Sequence, residues 1–153
     1  MKVSPVHPAI LAAILGALLS GFLVALQAPT NAMLARGAGS PVNAALVSFA
    51  VGTAALALVA FVLGVRPQAE AVRTLPWYAW MGGLYGAVFV SMAVLVVPRV
   101  GVTFFLTVSI AGQLLMALML DRVGAFGVPR VDISPLRLLG VAFVLVGAFL
   151  VRR

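Results

Sequence analysis

Gln27 and Asn31 are the residues best placed to do chemistry inside this chain. They stand four residues apart in an otherwise apolar run, within Gln27-Ala28-Pro29-Thr30-Asn31. A helix puts amides at that spacing on one face, and Ser20 and Val24 fall on the same stripe. Pro29 lies between them and removes a backbone donor, freeing a carbonyl one turn earlier. Such a helix break persists in lipid only where protein or a watery cavity satisfies the freed groups. The stretch therefore lines a solute path, or it serves as interhelical glue with a tolerated kink at Pro29. Position and chemistry leave both open.

The remaining intramembrane polarity is neutral: Ser48, Thr53, Ser91, Ser109 and Gln113, with Trp80 and Tyr85 as aromatic companions. Amides, hydroxyls and ring faces can hold a polar or cationic solute. The same groups can also join helices at roughly 0.6–2 kcal/mol each. Gln27, Asn31, Ser48, Trp80, Tyr85 and Gln113 are the candidate solute-binding set. No carboxylate or Lys falls inside an apolar run, so a buried proton-carrying acid is missing. Asp121 comes nearest, but it sits at a helix end beside Arg122 and reads as a cap or ion pair. His7 alone makes no metal site. There is no cysteine, hence no disulfide and no thiolate chemistry. No catalytic constellation and no phosphate-cradling loop stands out, so neither an enzyme nor a cofactor is expected.

These residues must be positioned by membrane helices. Of 153 residues, 64% are hydrophobic and 8% charged, with mean hydropathy +1.23; soluble domains carry about 25% charged residues. A span takes roughly 20 apolar residues. The pattern predicts a single all-α membrane domain over 1–153, with five helices at about 9–35, 42–65, 76–97, 102–120 and 134–151. Lys2 ahead of an apolar stretch resembles a signal peptide, but the run outlasts a signal core of roughly 7–15 residues, so a retained first span is expected. Ala13, Ala17, Gly21 and Ala25 form a small-residue ladder, and so do Ala44, Ser48 and Gly52; such ladders allow close helix approach. Gly37–Pro41 reads as a turn and Arg66–Pro76 as a solvated loop. Trp77, Tyr78 and Trp80 suit an interfacial belt. Pro98-Arg99-Val100-Gly101 reads as a tight turn making a hairpin of the third and fourth helices. Thr103 and Thr107 can bond back to their own helix. Gly140 and Gly147, seven apart on the fifth helix, suit packing against another helix and mark a dimer interface. The net charge of +7 is spread singly between apolar runs, which excludes a nucleic-acid interface.

The chain resembles the five-helix YdcZ-type proteins of the drug/metabolite transporter superfamily. QAPTNAML (Gln27–Leu34), GSP (Gly39–Pro41), Ser48-Phe49 and Gly52-Thr53 carry the resemblance in the first two helices. PWYAWMGGLYGA (Pro76–Ala87), PRVG (Pro98–Gly101), Gly112-Gln113, Asp121 and the pair Gly124 and Gly127 carry it in the rest. It implies a bacterial inner-membrane protein forming one half of an inverted-repeat transporter. The other half would be a second copy in an antiparallel homodimer, a paralogous partner or a fused repeat. It leaves the solute open. The proton-coupling Glu found in the first helix of the four-helix multidrug exporters of that superfamily is absent here. A non-transporting membrane scaffold and a channel-like path are the alternatives to a transporter.

Five spans put the termini on opposite sides. Lys2, Arg66, Arg73, Arg122, Arg130 and Arg137 then face one side, and Arg36, Arg99, Arg152 and Arg153 the other. The positive-inside rule acts on that difference, and a surplus this small admits both orientations. Reporter fusions at the C-terminus are expected to give mixed inside and outside populations. A single clean orientation, with no opposite-facing partner, would sink the inverted homodimer.

Overall fold

The computed structural model describes residues 8–66 and 68–151, and these contain helices and no strand. Lys2, His7, Arg152 and Arg153 lie outside the described residues. The chain forms two compact units, one ending at Pro98 and one beginning at Arg99.

In the first unit, α1 (Pro8–Ala38) runs unbroken through Pro29. The expected helix break is thus one missing rung without unwinding. Proline costs the turn a single donor. The next residue helps to hold that turn, because the Thr30 hydroxyl donates to the carbonyls of Leu26 (3.0 Å) and Gln27 (2.9 Å). Helix α2 (Pro41–Val62) follows after two residues. Gly39 takes φ +79° and Ser40 caps α2, its Oγ accepting from the Asn43 backbone N–H at 3.0 Å. The Asn43 amide in turn donates to the Ala38 carbonyl at 2.8 Å. Pro41 opens the helix where its missing donor would be unpaired anyway.

α1 and α2 pack together, and their buried residues are Ala28, Asn31 and Ala32 on α1, and Ala44 and Ala45 on α2. All of these lie near the connecting turn. The expected ladder Ala13–Ala17–Gly21 is exposed instead, with Ala25 half-buried. α2 stops at Val62, short of the expected 65, because Gly64 (φ +65°) sets up a glycine C-cap. The Val65 N–H reaches the Ala60 carbonyl and the Gly64 N–H reaches that of Phe61, the paired bonds of a Schellman motif.

The loop read as solvated contains a short helix, α3 (Ala69–Arg73). The third span opens with a 3₁₀ turn at Trp77–Met81 before α4 (Gly82–Val100). Trp77 and Tyr78 meet edge to face at 6.1 Å, and both are exposed, as an interfacial belt requires. On α4, Val90, Ala93, Val94 and Val97 form one buried stripe. α4 continues through Pro98, so the expected four-residue turn shrinks to Gly101. Its φ of +83° is the dihedral a side chain resists, whereas Pro98 removes only one rung.

The second unit pairs α5 (Val102–Val123) with α6 (Pro135–Leu150); Ala111, Val141 and Ala148 are buried. Ser134 and Pro135 start α6 with the device that starts α2, Ser134 Oγ accepting from the Arg137 N–H at 3.3 Å. The connection is tied down by Val131 N–H to the Asp121 carbonyl and by Arg130 Nε to the Val123 carbonyl, each 2.9 Å. Four helices, counting Trp77–Val100 as one, are long and apolar enough to cross a membrane; Pro135–Leu150 is apolar but has 16 residues. At 1.5 Å per residue it rises about 24 Å, less than a hydrocarbon core of about 30 Å.

Gly124 ends α5 in the left-handed region (φ +67°), donating to the Leu120 carbonyl at 2.8 Å, and a Cβ there would lie 2.5 Å from Arg130 Cγ. Gly124→Ala is expected to destabilise the protein by about 1–2 kcal/mol or more, read as a lower melting temperature in detergent. Gly16→Ala meets nothing within 4 Å and is expected to raise it or leave it unchanged. Equal effects of the two would refute this account of the corner.

Candidate functional site

Just beyond the buried part of the α1–α2 contact lies a groove of about 230 Å³. Gln27 lines it from α1, and Ser48, Phe49, Gly52, Thr53 and Leu56 line it from α2. The α2 residues share a face because they recur at steps of one, three and four. Gly52 keeps that wall low, since a Cβ there would meet nothing within 4 Å.

The polar side chains here, like Ser91 and Thr103, differ from several other intrahelical hydroxyls. Ser20 donates to the Gly16 carbonyl at 2.9 Å, Thr107 to that of Thr103 at 2.7 Å, and Ser109 to that of Phe105 at 2.8 Å. Those donors are spent on their own helices. Gln27, Ser48 and Thr53 make no side-chain hydrogen bond among the described residues. One amide and two hydroxyls, each able to donate and accept, thus face a common space. No titratable side chain lines it, so the groove can bind by hydrogen bonding and ring contact but cannot itself carry a proton. No group of three or more His, Cys, Asp or Glu that could hold a metal occurs among the described residues.

Asn31 lies one turn beyond Gln27 and does not line the groove. At 5% exposure it is the one buried polar residue among those described. Its amide has no partner there, yet no partnerless side-chain N or O is sealed from the surface, so it keeps a narrow opening. Trp80 and Tyr85 are each 62% exposed and are not part of the groove wall. Gln113 is exposed on α5, in the second unit.

Gly140 lines a separate cavity of about 300 Å³ in the second unit, together with Leu114, Leu118, Asp121, Arg137 and Val141. Space is open beside both Gly140 and Gly147. Asp121 pairs with Arg137 at 3.1 Å, not with Arg122, which pairs with Asp132. The Asp121 pair therefore joins the end of α5 to the start of α6. Such half-exposed pairs contribute about 0–1 kcal/mol.

Sequence reasoning passed over Phe49, Gly52 and Leu56 as groove residues, and counted Thr53 among the intramembrane polar groups without placing it in the candidate solute-binding set. The signal was present. The ladder Ala44–Ser48–Gly52 continues to Leu56 at the same spacing, but only its first member, Ala44, is fully packed.

Residues 12–150 match the family model described as "Putative inner membrane exporter, YdcZ". No curated protein and no solved structure is matched.

Proposed function

The chain belongs to the YdcZ family of multi-pass inner-membrane transporters, and on that premise we propose that it carries a small neutral or zwitterionic solute, or a weakly held cation, in the groove at Gln27. The observation that carries this reading is the set of unspent polar side chains of Gln27, Ser48 and Thr53 around one space. Polar groups left unpaired at membrane depth are costly unless they face protein or a watery path. Asn31, one turn away, extends the polar face. With no carboxylate in the groove, intrinsic proton coupling is weak.

Alternating access needs two inverted halves around a central site, and this chain supplies one half. An antiparallel dimer, with a second copy or a paralogue, would bring two such grooves toward one axis from opposite membrane sides. The small Lys/Arg surplus supports that arrangement, as does the open space beside Gly140 and Gly147 on α6. Gly147→Leu is expected to weaken the dimer more than Leu145→Ala in a lipid or detergent dimerisation assay; equal effects would remove α6 as the interface.

The solute site is tested by binding and proteoliposome flux with a panel of amino acids, betaine and polyols. Gln27→Ala is expected to abolish binding and flux of whichever panel member the wild type carries, while melting temperature and dimer yield stay near wild type; Asn31→Ala, at a buried position outside the groove wall, is expected to lower the melting temperature. Parallel loss of stability and transport in Gln27→Ala would mean that its amide serves only as glue.

A further inference from the structure

We propose that the Phe49 ring is the partition that sets the size of solute the Gln27 groove admits. Phe49 lines the polar groove and also a second cavity of about 240 Å³ between α2 and α4, walled by Val42, Ala45, Leu46, Ala87 and Ser91. One side chain is thus common to both walls. On one side of it stand an amide and two hydroxyls; on the other the lining is apolar except for Ser91.

A glycine leaves room for the ring in that position. A Cβ on Gly86 of α4 would stand 3.2 Å from Phe49 Cζ and 3.5 Å from Cε1, so the ring tip rests where residue 86 has no side chain. Phe49 is 38% exposed. No covalent or hydrogen-bonded tie restrains it, so rotation about its two side-chain torsions suffices to move it. With the ring in place, the polar space ends at Phe49 and a solute with a bulky apolar end is refused. With the ring withdrawn, the two cavities join, and an amphiphile could keep its polar end at Gln27 and lay its apolar end toward Leu46 and Ala87. The size-setting role rests on the reading of the Gln27 groove as a solute site; the position of the ring between two cavities does not.

The chain has no cysteine, so a Thr53→Cys variant carries a single thiol inside the polar groove. In membrane vesicles its labelling rates are measured with a small reagent, trimethylammonium-ethyl methanethiosulfonate, and with a bulky biotin-bearing methanethiosulfonate. Gln68→Cys, in the exposed loop before α3, calibrates the intrinsic reactivity of the two. In the Thr53→Cys background the small reagent is expected to outpace the bulky one several-fold after that calibration. Phe49→Ala should bring the ratio close to that at Gln68→Cys, and Phe49→Leu should give an intermediate value, with melting temperatures near that of the parent. Gly86→Ala, which presses on the ring without removing it, should not narrow the ratio. A ratio unchanged by Phe49→Ala and Phe49→Leu, with Thr53→Cys still labelled, overturns the partition and leaves the groove standing. A ratio narrowed equally by Gly86→Ala also overturns it. Thr53→Cys that neither reagent labels shows that the groove is dry, which overturns the solute site and the partition with it.

Discussion

Everything in this structure follows from the need to satisfy backbone hydrogen bonds where water is scarce. Hydrocarbon offers no partner for an open N–H or C=O, so a spanning chain of this composition is helical and its interruptions are short. The ends show how tightly this binds. Ser40-Pro41 and Ser134-Pro135 begin helices with a side-chain acceptor and a residue that has no donor to lose. Gly64 and Gly124 end helices in the left-handed region, where the freed N–H turns back to a carbonyl of the last turn. Pro29 and Pro98 are tolerated inside helices because each removes one bond and no more.

Once the backbone is satisfied, little is left for the hydrophobic effect to do within the chain. Leu, Ile, Val and Phe side chains are largely exposed, and no large side chain is fully buried among the described residues. Lipid tails solvate such side chains as well as other side chains do, so association falls to close packing of small residues. The buried set agrees: Ala28, Ala32, Ala44, Ala45, Ala93, Ala111 and Ala148, with a few valines. Where α1 and α2 part beyond their alanine contact, the groove begins. Gly52 continues the small-residue ladder into it, with open space where a Cβ would stand.

The spans and most turns were legible because apolar length and Gly/Pro punctuation act locally. Gly39-Ser40-Pro41 and the start at Ser134 needed only neighbouring residues to be understood. What escaped the sequence depended on competition between elements. Pro29 looked like a break, but the bonds of the surrounding turn and the Thr30 hydroxyl hold the helix through it. The ladder at Ala13–Gly21 looked like a packing face, but α1 meets α2 near their turn and uses Ala28 and Ala32 instead. Asp121 was tied by proximity to Arg122, although helix geometry gives its carboxylate to Arg137 across the loop. Phe49 was invisible as a groove residue because a phenylalanine in an apolar run carries no local mark. The room for its ring comes from Gly86 on another helix.

The chemistry of the groove also bounds how such a transporter could work. A neutral hydrogen bond contributes about 0.5–1.5 kcal/mol net. On the proposed reading, three such groups, Gln27, Ser48 and Thr53, would supply about 1.5–4.5 kcal/mol before the cost of ordering the solute, which corresponds to a dissociation constant on the order of 1 mM or weaker. Tight capture is thus beyond this groove without a buried charge or a large apolar contact. On that reading, weak binding would fit a carrier that must release its cargo at every turn, and specificity would have to come from shape. The steric members of the wall, Phe49 and Gly52, would then be as consequential as its polar ones. The chemistry also places any carboxylate-borne proton coupling outside the groove, because the carboxylates among the described residues, Glu70, Asp121 and Asp132, lie at or beyond helix ends.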